Sequence, residues 1–146
     1  MSSSLQTGVT ATTRVSIDEA RTISFMGDEG RVYATPELVR DIENCCRNLL
    51  LEHIDEGQDS VGTSIDLSHT APTPFGMWVD ITVTVTDVSG RAVTFDVVAR
   101  DPIDEICHAG HRRFVVDVAS TLKRIRAKRE TANAATEAPV VNQPAV

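Results

Sequence analysis

An α+β fold, one long helix set against an antiparallel sheet, is what the amino-acid sequence predicts. Three observations carry this. "TPELVRDIENCCRNLLLEHIDEG" places apolar residues at three- and four-residue spacing, the signature of an amphipathic helix. "MWVDITVTVTDV" and "AVTFDVVAR" alternate apolar with polar residues, as half-buried strands do, and the intervening "SGR" suits a tight hairpin. No second long amphipathic helix separates the strands, so the sheet reads as an antiparallel meander covered by one helix.

Taken in order, "VTATTRVSI" (9–17) is β-branched and predicts a first strand. Residues 18–34, broken by Gly27 and Gly30, read as loop with one short strand or turn. The helix follows, with Thr35 as N-cap, Pro36 at the first helical position and Glu37 complementing the dipole. Leu38, Ile42, Cys45, Cys46, Leu49 and His53 form its buried stripe, and Gly57 is expected to close it. Glu43 falls about 90° from the stripe's centre, at the border of the buried face. In "VGTSIDLSHTAPTP", Val61, Thr63, Ile65, Leu67 and His69 occupy one side of a strand, and "APTP" ends it at the sheet's rim. "EICHAGHRRFVVDV" predicts the last strand, and "ASTLKRIRAKRE" a short basic helix whose Leu122 and Ile125 are expected to dock on the sheet. One sheet and one helix with so few aromatics bury little, so a dimer is expected.

At 146 residues the chain is one domain's worth. The reading assigns a flexible start over 1–8, the domain over 9–130 and a disordered tail over 131–146, rich in Ala, Thr, Asn and Pro. A net charge of −7 argues against nucleic acid as a partner. No apolar run approaches a membrane span and no signal-peptide segment opens the sequence. Three cysteines, two adjacent, do not form a disulfide framework, which points to the cytoplasm.

Among reactive residues, Thr35 reads locally as a helix cap, though free amides at a helix start also favour developing negative charge. Glu43 reads as a solvated helix carboxylate or a group reaching a cleft. His69 stands where the pattern asks for an aliphatic residue, as a core histidine or a rim acid–base group. Cys107, His108 and His111 resemble metal ligands in type, but His108 points away from the other two on a strand, so no metal is expected. Cys45 and Cys46 read as helix-stripe hydrophobes. The basic run "KRIRAKR" reads as a solvated helix face.

Three segments, "VYATPELVRDIE", "VGTSIDLSHTAPTPFG" and "DEICHAGHRRFVV", in this order and spacing, resemble the hot-dog thioesterases, specifically the fluoroacetyl-CoA thioesterase branch. The resemblance spans about Val32 to Val116. It implies a hot-dog fold, a long helix wrapped by a curved antiparallel sheet, in a homodimer with sites at the interface. It implies catalytic roles for Thr35, Glu43 and His69, substrate contacts for Gly62 and Arg113, no cofactor, and an acyl-CoA or acyl-carrier-protein thioester as substrate. The imidazole would shuttle a proton; Glu43 would act as general base on water or attack directly. The branch has an aromatic-rich lid segment before the helix, which this sequence does not match: "SFMGDEGRV" supplies acidic residues and glycines there, with Phe25 its only ring, so a broader or different acyl group is expected beside fluoroacetyl. A non-catalytic acyl-CoA- or partner-binding domain is the competing reading. A hydratase would need an Asp and His pair on a hydratase-type loop, which the sequence lacks.

Overall fold

The computed structural model describes residues 1–135. Strands β1 (Thr10–Ser16), β2 (Thr22–Ile23) and β3 (Val32–Tyr33) precede helix α1 (Thr35–Leu51). Strands β4 (Gln58–His69), β5 (Trp78–Ser89), β6 (Ala92–Arg100) and β7 (Glu105–Asp117) follow, and helix α2 (Val118–Ala135) ends the described chain. Five strands form one antiparallel sheet in the order β1-β5-β6-β7-β4, while β2 and β3 form a separate two-stranded ribbon. The inner face of the sheet supplies Val79, Ile81, Val83, Val85, Val93, Phe95 and Val97 to a core closed by Leu38, Ile42, Cys46, Leu49 and Leu50 of α1. This is the expected layering, driven by burial of one face of each element.

Register breaks curve the sheet. One, between Gly62 and Ser64, sits in β4. The extra residue shifts the alternation, so Val61 does not share a face with Ile65, Leu67 and His69 as the unbroken pattern implied. Gly62 pairs with the buried Arg113, Ile65 with the buried His111 and His69 with the buried Cys107. Gly62 and His69, an odd number of residues apart, therefore both face α1.

Several local expectations are corrected. Helix α1 ends at Leu51 rather than at Gly57; Gly57, at φ 82°, instead turns the chain into β4. Within residues 1–8, Leu5 is buried, Ser2 N–H donates to the His53 carbonyl at 2.6 Å, and Ser4 Oγ lies 2.7 Å from His53 Nδ1. Helix α2 runs on through Ala135, past Thr131, and buries no residue; Leu122 and Ile125 stay exposed instead of docking on the sheet. The rest of the expected tail, 136–146, lies outside the described residues. No helix among the described residues is long and apolar enough to cross a membrane.

Candidate active site

The predicted site residues fall into two clusters. Thr35 and His69 form the first. Thr35 is the opening residue of α1, one position inside the cap, and the N-cap position is Ala34, which has no side-chain acceptor. The threonine hydroxyl is engaged elsewhere: Oγ1 lies 2.7 Å from Nδ1 of His69, the last residue of β4. The Tyr33 ring, from β3, stands T-shaped to the imidazole, centroids 6.4 Å apart at 77°. The other imidazole nitrogen, Nε2, is shut off from solvent and has no hydrogen-bond partner among the described residues. Burial lowers the His69 pKa, because a desolvated ring resists the extra charge. The pair stands at a cavity of about 260 Å³ whose other walls include Ile23, Val32, Ala71 and Pro72. A second hollow of about 550 Å³, bordered by Phe25, Pro36 and Glu37, shares Ile23 and Thr35 with the first. The helix start carries no side-chain cap, so amides of its first turn remain available to an oxyanion.

Glu43, Gly62 and Arg113 form the second cluster. A Cβ on Gly62 would overlap Glu43 Oε1 and come within 3.2 Å of His111 and 3.4 Å of Arg113. A side chain at this position would have to displace the Glu43 carboxylate. Arg113 is buried; its Nε donates to Ser60 Oγ at 2.7 Å and its Nη2 to the Ser60 carbonyl at 2.8 Å. Its Nη1 lies 3.2 Å from His111 Nε2 and 4.0 Å from Glu43 Oε1. Because His111 Nδ1 faces the Ser64 carbonyl at 2.8 Å, Nδ1 carries the ring proton and Nε2 accepts from Arg113. Burial, then the Arg113 charge, lowers the His111 pKa and keeps the ring neutral. Glu43 itself is half-exposed, held at the border of the helix face as its angular position implied.

Within one chain no hydrogen bond or ion pair joins the two clusters. Thr35 and Glu43 are eight residues apart on α1, about 12 Å at the helical rise. Of the remaining candidates, His108 points to the outer face and bonds Asp96 at 2.8 Å, away from Cys107 and His111. Burial pushes the thiols up, Cys46 to about 12 and Cys107 to about 11, which leaves them poor nucleophiles.

Sequence reasoning missed three groups next to the first cluster. Asp41, buried on α1, receives Arg21 Nε at 2.9 Å and Arg21 Nη2 at 3.1 Å, and the Tyr33 hydroxyl donates to the same carboxylate. The available signal was an acid set between Leu38 and Ile42 on the apolar stripe.

Residues 17–119 match the model of the fluoroacetyl-CoA-specific thioesterase family. A fluoroacetyl-CoA thioesterase from Streptantibioticus cattleyicolor is 34% identical over 97 residues, covering 66% of this chain and 70% of that protein. The solved structure of the fluoroacetyl-CoA thioesterase FlK superposes with a TM-score of 0.78 at 28% identity, covering 85% of this chain and 97% of that one. A mutant of that enzyme with fluoroacetate and CoA superposes at 0.74, 28% identical, over 80% of this chain and 99% of that one. A Thermus thermophilus thioesterase superfamily member, 23% identical, shares the fold at 0.81 over 89% and 97% of the two chains. With the wrapped helix, the family match and these relatives in agreement, the chain belongs to the fluoroacetyl-CoA-specific thioesterase family and has its hot-dog fold.

Proposed function

We propose that this protein hydrolyses a short acyl-CoA thioester to the free acid and CoA, with Thr35, His69 and Glu43 as its catalytic groups. The observation that carries the reading is the hydrogen bond between Thr35 and a neutral, desolvated His69 beside a small cavity with apolar walls. That cavity suits a short uncharged acyl chain. The free first-turn amides of α1 suit the oxyanion that forms as the carbonyl is attacked.

A carboxylate to activate water must come from a second copy, since one chain's Glu43 lies about two helical turns from its own Thr35. Strand β4 ends the sheet with one edge free, and Val61 and Ile65 on it are exposed. Two such edges paired antiparallel about a two-fold axis near the strand's middle set Gly62 of one copy across from His69 of the other. The partner's Glu43, lying against its own Gly62, then completes the site. Water adds to the thioester carbon and gives its proton to that carboxylate. The C–S bond breaks as the carbonyl re-forms, and the proton taken up by the carboxylate passes through the Thr35–His69 pair to the departing thiolate, which returns each group to its starting state. Arg113, beneath Glu43, orients the carboxylate, and the backbone at Gly62 borders the substrate. No step needs a cofactor or a metal.

An acyl group on a carrier protein presents the same thioester, and the exposed basic face of α2 would suit an acidic carrier. Three free, buried cysteines support a cytoplasmic location. The test is a panel of acyl-CoA and acyl-carrier thioesters followed with a thiol reagent. At least one short acyl-CoA turns over, and His69→Ala lowers its kcat by about 10²–10⁴. Saturable binding with no turnover of any substrate would replace hydrolysis with a purely binding role.

A further inference from the structure

We infer that Arg21, Asp41 and Tyr33 form a positioning brace that fixes the orientation of the His69 imidazole; the inference rests on His69 being the proton-handling group. Little else holds that ring. Among the described residues its Nδ1 has one partner, Thr35, and its Nε2 has none, so their hydrogen bonding alone leaves the imidazole free to swing about the Thr35 contact. The Tyr33 ring, T-shaped to the imidazole, closes that freedom from β3.

Tyr33 can serve as a fixed wall because both of its ends are tied. Its amide donates to the Thr73 carbonyl at 2.9 Å, and its hydroxyl donates to Asp41. Asp41 is tied in turn by both arms of Arg21, whose third nitrogen reaches Asp18 at 2.9 Å. Arg21 also offers its carbonyl to the Ala34 amide at 2.8 Å, next to Thr35. The brace therefore joins the turn before β2, the ribbon and the start of α1 around the Thr35–His69 pair. A carboxylate with 7% side-chain exposure is an expensive way to fill a core position, since burying an ion pair gains little over apolar packing. What it supplies is direction: two oxygens accept from a planar guanidinium and one phenol at set angles.

Among the described residues, the titratable side chains placed beside His69 are Tyr33 from β3 and Cys107, its register partner on β7. Burial raises both, so neither is charged at neutral pH. The Asp41 charge lies behind Tyr33 and is matched by Arg21. The ring's low proton affinity is thus a matter of exclusion from water, which a loosened wall would relax.

Tyr33→Phe removes one oxygen and keeps the ring; Asp41→Asn removes the charge. In full-length protein with labelled histidine, NMR titration of His69 without substrate is expected to move its midpoint up toward the ordinary imidazole value in both variants. On the best substrate of the panel, kcat falls about tenfold while KM stays within about twofold. A His69 midpoint unchanged in folded Tyr33→Phe overturns the brace, whatever Asp41→Asn does to folding. Because the titration needs no turnover, it decides on the brace even if the parent hydrolyses nothing, an outcome that would count against the thioesterase reading alone.

Discussion

Gly62 has no side chain because Glu43 occupies the space where one would stand. The clashing atom is the far end of a flexible, half-exposed carboxylate, so Gly62→Ala separates activity from stability. The side chain can yield at a cost under about 1 kcal/mol in thermal or urea unfolding, yet the displaced carboxylate no longer meets its water. Turnover of the best acyl-CoA should fall by about 10–100-fold, and equal activity in the two proteins would remove Glu43's placement from the mechanism. The buried histidines make a second residue-scale prediction. Burial lowers both His69 and His111, so as pH falls below about 6.5 the unfolded chain takes up protons that the native rings refuse. Stability is therefore full above that value and is lost as pH drops toward the folded pKa values. His111 is the sharper case: a proton on Nε2 would confront the Arg113 nitrogen that donates there. Exposed His108, raised by its bond to Asp96, contributes in the opposite sense. The midpoint of thermal unfolding should drop between pH 7.5 and 5.5, with a shallower drop in His111→Gln; an identical slope would exclude that ring as the source.

Periodic elements are where the sequence is most informative, because a face that must be buried writes itself as spacing. Helix α1 and the β5–β6 hairpin, turned at Gly90 with φ 60°, were legible on that ground. The bulge in β4 was not. One extra residue leaves no mark in composition, and Val61 through His69 read as a single alternation although the pairing breaks between Gly62 and Ser64. His69 was conspicuous because an imidazole replaced an aliphatic residue, and the rim position follows from "APTP". Its partner was hidden: Thr35 has the local look of a cap, and the competing hydrogen-bond partner lies 34 positions away. Tyr33 and Asp41 join through tertiary contact in the same way. Leu5 shows the reverse case, a lone apolar residue in a polar start that the core nonetheless takes in. Helix α2 has a weak apolar stripe, Val118, Leu122 and Ile125, and none of the described residues covers it.

In the proposed mechanism, assembly is the scale at which the two clusters meet. If the partner's Glu43 completes each Thr35–His69 pair, the two sites of a homodimer each draw on both chains. Glu43→Gln and His69→Ala then inactivate separately when each variant is assembled alone. Co-refolded in equal amounts, half of the dimers are mixed. In a mixed dimer one site receives the intact His69 of the first chain and the intact Glu43 of the second, while the other site loses both. The mixture should regain about a quarter of parental activity, the product of that half and one working site of two. Were both groups drawn from one chain, every site would lack one of them and mixing would restore nothing. Sedimentation of the mixture fixes the dimer content, and Ile65→Arg, placed on the exposed edge of β4, supplies the counterpart. Charge at that edge should yield monomers that keep the Thr35–His69 hydrogen bond and lose turnover. Full activity in such a monomer would confine the chemistry to a single chain and remove the need for pairing along β4.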